Sequence, residues 1–252
     1  LRCRFGERVL LELGSFPAPT FDALFEGVKA LPWAQYLPAD AAFPVKGYSL
    51  ESALHSVPDC QKIIKKAVVE SLKQRYHVTW FAETGALYQI QFSLVHDTAT
   101  LYLDTTGTPL HKRGYRKVAN LAPIRETLAA GILDIARIYP DTQLYDPFCG
   151  SGTFLIEAAY KAKNIAPGIY RRFAAEKWDS LPSKIWQTSR EEAIEKIRKD
   201  IEFTAFGSDI SQDSLEIAEA NARRAGISGL IRLETADVKN FTIPDRKSLV
   251  VT

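Results

Sequence analysis

Three aspartates and one glycine-rich turn are the residues of this 252-residue chain whose types and spacing could do chemistry. The turn is Asp146-Pro-Phe-Cys-Gly-Ser-Gly-Thr153, which follows a short strand expected over Leu144–Asp146 and opens an apolar-periodic helix from Thr153. Gly150 and Gly152 allow positive φ and let a ligand approach the main chain, and the first free N–H groups of the helix point at whatever sits there. No Lys follows Gly152, which argues against a nucleoside triphosphate loop. Leu155 stands where a dinucleotide fingerprint needs its third glycine.

The elements around this turn place the aspartates. A strand at Phe203–Phe206, a helix from Ser211 to Ala225, a strand at Leu230–Leu233 and a strand at Ser248–Thr252 alternate in the manner of a parallel, doubly wound sheet. A helix over Ala122–Ile138 precedes them, with Ile124, Leu128, Ile132 and Ile135 as its inward stripe and Pro123 in its first turn. Ligands of such sheets sit beyond the carboxyl ends of the strands, where Asp146, Asp209 and Asp237 fall in succession. Any one of them could be a helix cap or a solvated loop charge. Together they suit an adenosyl ligand: Asp209 for two ribose hydroxyls, Asp237 for an adenine amine, and Asp146 for the amino group of a methionine moiety. S-adenosylmethionine fits this set better than a dinucleotide, because no pyrophosphate clamp accompanies it. Phe148, Cys149, Gly150, Ser151, Gly152, Thr153 and Ile210 complete the expected cofactor-binding set. Cys149 reads as a space-filling residue, since no His stands near it as a partner.

The first half carries a different signal. Arg8–Leu13 reads as a strand, and Thr20 as the cap of a helix with Phe21, Leu24, Phe25 and Val28 on one face. Ser56-Val-Pro-Asp59 has capping-box spacing and leads into a helix from Cys60 to Tyr76. Its apolar face holds Ile64, Ala67, Val68, Ser71 and Leu72, and the remainder holds Lys62, Lys65, Lys66, Lys73 and Arg75. Strands are expected at Val78–Phe81 and Tyr88–Leu94, and a turn at His96-Asp97 leads to a hairpin partner at Thr100–Leu103. Thr105–Val118 reads as a basic linker with Lys112, Arg113, Arg116, Lys117 and the aromatic Tyr115. Residues 44–118 hold ten Lys and Arg against six Asp and Glu. Such groups bind phosphates whatever the base sequence, and an aromatic can stack on an unpaired base, so Lys62, Lys65, Lys66, Lys112, Arg113, Arg116 and Lys117 are the candidate RNA-binding set. Residues 164–200 form an insertion with Tyr170–Phe173, Trp178, Trp186 and a charged helix from about Ser189 to Asp200.

Composition narrows the class. A net charge of +2, 46% hydrophobic and 25% charged residues are ordinary for a globular protein. No apolar run is long enough to cross a bilayer and no signal peptide is visible, which implies a cytoplasmic location. Cys3, Cys60 and Cys149 are odd in number and far apart, which argues for reduced thiols and against a metal site. The chain has no Met and stops within an expected strand, as a portion of a longer protein would.

The eight residues from Asp146 to Thr153 resemble the motif of S-adenosylmethionine-dependent methyltransferases that modify exocyclic amines of nucleic-acid bases. With Leu54–Asp59, His111–Arg116 and Ala122–Thr127, the chain is similar to THUMP-domain RNA methyltransferases that make N2-methylguanine in bacterial 23S ribosomal RNA. The resemblance implies an α/β protein: a Rossmann-like class I methyltransferase domain preceded by an α+β THUMP and ferredoxin-like RNA-binding region. It divides the chain into a partial ferredoxin-like region (1–42), a THUMP domain (43–104), a basic linker (105–121) and the methyltransferase domain (122–252). It also implies donor binding by Asp146, Gly150, Gly152, Asp209 and Asp237, and structured RNA, ribosomal before transfer RNA, as partner. The family's catalytic Asn- or Asp-Pro-Pro-aromatic motif would follow the strand Leu249–Val251, after Thr252, so no catalytic residue is named. Two other readings stay open: a non-catalytic structured-RNA-binding protein, and an adenine-N6 nucleic-acid methyltransferase.

Overall fold

The computed structural model describes residues 1–117, 123–242 and 248–252. Its contacts divide the chain into two units: Arg8–Thr108 with Phe173–Ser183, and Leu1–Glu7 with Pro109–Arg172 and Lys184–Thr252.

The first unit is a four-stranded sheet, β1 (Leu10–Pro17), β2 (Val45–Leu50), β3 (Ile90–Val95) and β4 (Thr98–Asp104), in the order β1-β4-β3-β2. Two helices, α1 (Phe21–Lys29) and α2 (Val57–Tyr76), accompany it. Thr20 caps α1 as expected, its Oγ1 accepting the Ala23 N–H at 3.2 Å. His96 and Asp97 turn β3 into β4, both at positive φ, which the tight two-residue hairpin loop requires. Segments 1–42 and 43–104, expected as separate domains, contribute strands to this one sheet, because β1 pairs antiparallel with β4.

Three local expectations are corrected here. Val78–Phe81 is not a strand: His77 closes α2 in the left-handed region, Trp80 is exposed, and only Phe81 turns inward, onto the Phe43 ring. Ser56 is the N-cap of α2 but makes no capping bond to backbone; its hydroxyl donates instead to Asp59 Oδ2 at 2.6 Å. Strand β2 was not anticipated, because its inward positions are Val45, Gly47 and Ser49 while Lys46, Tyr48 and Leu50 face out. Gly47 is required there: an added Cβ would lie 2.2 Å from the Phe92 carbonyl oxygen.

The insertion is divided between the units. Trp178 stacks on Tyr88 in the first unit, with ring centroids 4.7 Å apart, and its indole N–H donates to the Leu87 carbonyl at 3.0 Å. The helix expected at Ser189–Asp200 runs earlier, as α5 (Ser183–Glu195).

The second unit contains α3 (Glu126–Ile135), β5 (Gln143–Asp146), α4 (Thr153–Ala162), β6 (Thr204–Asp209), α6 (Gln212–Arg224), β7 (Ile231–Thr235) and β8 (Leu249–Val250). Its strands are parallel in the order β7-β6-β5-β8. The chain winds outward from β5 to β7 and returns to the other side of β5, which puts a topological switch point beside Asp146. Pro123 precedes α3 rather than lying in its first turn, and Ala122 lies outside the described residues. The inward face of α3 also differs from the expected stripe. Glu126, Ala129, Ala130 and Leu133 are buried, whereas Leu128, Ile132 and Ile135 are exposed. Both sets have helical spacing; the alanine face wins because small side chains let α3 approach α4.

Truncation of Trp178 to Ala is expected to destabilise the first unit by about 3–5 kcal/mol, as for other buried tryptophans. A denaturant titration followed by tryptophan fluorescence checks this, and an unchanged midpoint would show that the insertion does not hold the Tyr88 ring.

Candidate functional site

The site is built from the ends of three adjacent strands. Asp146 is the last residue of β5, Asp209 the last of β6, and Asp237 lies two residues beyond β7. The register explains their adjacency, since Asp146 pairs with Gly207 and Asp209 with Thr235.

Between β5 and α4 the loop turns on two left-handed glycines, Gly150 (φ 51°) and Gly152 (φ 78°), as the motif requires. Gly152 caps α4, and a Cβ there would press on Ala218 of α6 at 3.1 Å. The loop hangs on β6: the Cys149 N–H donates to the Ser208 carbonyl at 2.9 Å, and the Gly150 N–H to Asp209 Oδ2 at 3.0 Å. Asp209 Oδ1 accepts the Ser211 N–H at 2.9 Å, which ties the same carboxylate to the entry of α6. Gly207 completes the fit, because a Cβ on it would meet Leu155 at 2.4 Å and Cys149 Sγ at 3.0 Å.

The electrostatics are uneven. Asp146 is 2% exposed, and its Oδ1 accepts the Phe148 N–H at 3.2 Å. Burial raises its pKa to about 7, the Phe148 bond opposes this, and the neighbouring Asp209 charge adds to it. A second carboxylate beside it makes the charged form costlier still, and a cation placed there would relieve that cost. Cys149 is buried, and burial with the nearby Asp146 and Asp209 charges pushes its thiol to about 12, which suits a packing residue and not a nucleophile. Asp237 caps a 3-10 turn at Val238–Asn240, Oδ1 accepting the Lys239 N–H at 2.9 Å, while among the described residues its other oxygen accepts no hydrogen bond. Phe148 and Ile210 are 58% and 74% exposed, so an apolar side chain stands in solvent next to the loop and another next to Asp209. A cleft of about 940 Å³ runs over the strand ends, lined by Asp146, Pro147, Ser208, Ala236 and Asp237 among others. Phe148, Cys149, Gly150, Ser151, Gly152, Thr153, Asp209 and Ile210 do not line it. Thr153 and Ser151 are buried, and each is held from outside the loop.

Asn221, which holds Ser151, and the pairing of Glu157 were not foreseen. Asn221 is fully buried on α6, and its amide donates to the Ser151 carbonyl at 3.1 Å. Its signal was a polar residue on the inward face otherwise made by Leu215, Ala218 and Ala222. Glu157, a lone carboxylate in the apolar helix α4, is buried with Arg113 at 3.4 Å and the Tyr115 hydroxyl at 3.0 Å.

These contacts correct part of the RNA-binding set. Arg113 and Tyr115 are core residues, so neither can meet phosphate or base. Arg116 is only 13% exposed and contacts Glu126 and Thr153. Lys65 lies over the Phe43 ring at 3.5 Å and donates to Glu83 at 2.6 Å. Lys62, Lys66, Lys112 and Lys117 are exposed; Lys62 is 3.3 Å from Asp59, a weak surface pair. Val118 to Leu121 of the expected linker lie outside the described residues.

Residues 113–252 match the family of RMKL-like methyltransferase domains, and residues 18–104 match the THUMP domain family. This chain is an RMKL-like methyltransferase family member. It is 46% identical over 241 residues to YpsC of Bacillus subtilis (strain 168), provisionally named an RNA methyltransferase, covering 95% of this chain and 63% of that one. Ribosomal RNA large subunit methyltransferase K/L of Psychromonas ingrahamii is 37% identical, covering 96% of this chain and 33% of its own length. The crystal structure of SMU.472, provisionally a methyltransferase and solved with S-adenosylhomocysteine, superposes with a TM-score of 0.91 at 40% identity, over 97% of this chain and 65% of that one. The chain thus spans less than two thirds of these relatives. The RMKL-like fold confirms the expected class, a Rossmann-like α/β domain behind an α+β THUMP region. No helix among the described residues is long and apolar enough to cross a membrane.

The burial of Asp146 has a stability consequence. Between its ordinary pKa of 3.8 and about 7 the folded state holds a proton that the unfolded state releases, so stability falls as pH rises through that window. Asp146→Asn removes this slope and is expected to be more stable than the parent at pH 8 by up to a few kcal/mol. Thermal melts at pH 4 to 8 test it; parallel pH profiles for the two proteins would overturn the assignment.

Proposed function

We propose that this chain carries the donor-binding and RNA-recognising parts of an S-adenosylmethionine-dependent RNA methyltransferase. The observation that carries the reading is the buried Asp146 carboxylate beside Asp209 and the left-handed Gly150–Gly152 turn at adjacent strand ends. The donor fits these residues. Asp146 would take the ammonium of its amino-acid end, Asp209 the ribose hydroxyls and Asp237 the adenine amine, with Ile210 and Phe148 as apolar cover. When bound, the donor supplies an electrophilic methyl on a sulfonium. The chain's own residues bind, orient and desolvate; positioning supplies most of the rate in such a transfer.

The proposed acceptor is the exocyclic N2 amine of a guanine in 23S ribosomal RNA. The motif from Asp146 to Thr153 and the kinship with a ribosomal RNA large subunit methyltransferase support this. Lys62 and Lys66 on α2, with Lys112 and Lys117, are the proposed phosphate contacts.

Calorimetric titration is expected to give binding of S-adenosylmethionine and S-adenosylhomocysteine, none of NADH, and loss of both adenosyl ligands in Asp209→Ala. A folded chain that binds no adenosyl ligand would refute the donor site. For the acceptor, nucleoside mass spectrometry of 23S RNA from cells lacking this protein should show one N2-methylguanosine missing; an unchanged N2-methylguanosine content would overturn the guanine assignment.

A further inference from the structure

Arg116 lies at the first turn of α4, where Thr153 follows Gly152. Its Nη2 donates to Thr153 Oγ1 at 2.5 Å and to the Ile124 carbonyl at 3.0 Å. Its Nε is buried with no hydrogen-bond partner; Glu126 Oε1 is 3.6 Å away, close enough for charge but not bonded. Nη1 also makes no hydrogen bond among the described residues. Among the described residues the Nε and Nη1 of this guanidinium are therefore left without a hydrogen-bond partner, and the Nε is out of water. A buried donor costs stability unless something accepts it.

A charge argument says what accepts them. The donor's amino-acid end carries an ammonium and a carboxylate. Asp146 and Asp209 draw the ammonium and repel the carboxylate. The positive groups adjoining the Asp146–Thr153 segment are the N-terminus of α4 and Arg116, and among the described residues Arg116 is the one cation hydrogen-bonded to a residue of that segment. We propose that Arg116 binds the α-carboxylate of the methyl donor and thereby discriminates the intact donor from its decarboxylated form. This rests on the donor-site reading above and adds to it a specificity residue outside the glycine motif. Glu126 and Thr153 hold the guanidinium in place; the carboxylate takes the donors they leave.

The test uses two ligands that differ only in that carboxylate, S-adenosylmethionine and decarboxylated S-adenosylmethionine, titrated into the full chain and into R116Q and R116K. A charge-assisted hydrogen bond lost from a buried site weakens binding on the order of tenfold to a hundredfold. The parent should prefer the intact donor by that factor. R116Q should lose the preference while binding the decarboxylated ligand within about twofold of the parent, and R116K should keep part of it. If R116Q weakens both ligands equally, Arg116 only props the loop and the inference is wrong. A parent that binds both ligands equally also overturns it. A parent that binds neither overturns the donor site itself, and a melt confirming that each variant is folded separates these outcomes from misfolding.

Discussion

The second unit depends on one buried charge. Nine of the ten residues of α4 are buried, and Glu157 is among them, its carboxyl raised by burial and opposed chiefly by Arg113. A carboxylate in that position is stable only with partners, and Arg113 and the Tyr115 hydroxyl are supplied by a stretch of chain that its composition marks as a linker. The same stretch brings Arg4 into register, because Arg113 also donates to the Arg4 carbonyl and Arg4 in turn to the Ile165 carbonyl at 2.9 Å. The glycine loop inherits this order. It is joined to α4 without a break, so fixing α4 fixes Gly152, and Asn221 and Asp209 then hold the rest of the turn from α6 and β6.

The first unit has a comparable anchor of its own. Asp104 is fully buried at the end of β4 and accepts from Arg8, from the Thr106 N–H at 2.8 Å and from Gln89 at 3.2 Å. With Gln91 donating at 3.4 Å as well, four donors around one carboxylate meet the requirement that a buried charge be hydrogen-bonded. Strand ends are fixed in both units by aspartates, but with opposite outcomes. Asp104 is saturated and structural. Asp146 has one backbone donor and a like charge nearby, and so is left uncompensated.

What the sequence made legible follows from this. Period-2 and period-3.6 patterns, the Thr20 cap, the His96-Asp97 turn and the glycine loop are local signals, and most of the elements they mark are present, the Val78–Phe81 strand and the position of α5 being the exceptions. Strand β2 escaped because Gly47 is chosen for what it avoids, the Phe92 carbonyl, and leaves no apolar residue to count. The face of α3 was misjudged because two stripes share one helix and only the bulk of α4 decides between them. The aspartates were legible as strand-end acids, whereas Asn221 and Arg116 act through tertiary contacts of long sequence separation. The basic linker shows the same limit in charge. Arg113 and Lys112 are adjacent and alike in sequence, yet one is buried on Glu157 and the other exposed.

Under the proposed donor reading the loop needs no phosphate clamp. A zwitterionic ligand end placed across the segment would meet two carboxylates on one side of its charge pattern and a helix N-terminus with a guanidinium on the other. Each group alone is unfavourable in the free protein: Asp146 shifts toward its neutral form, and Arg116 keeps an unbonded buried Nε. A ligand with only an ammonium, or only a carboxylate, would relieve one of these and leave the other. One that carries both, on a single tetrahedral carbon, relieves both at once. On the proposed donor reading, the stability withheld at Asp146 and Arg116 would become affinity for an amino-acid end, and it would not do so for a dinucleotide, whose pyrophosphate would face two aspartates.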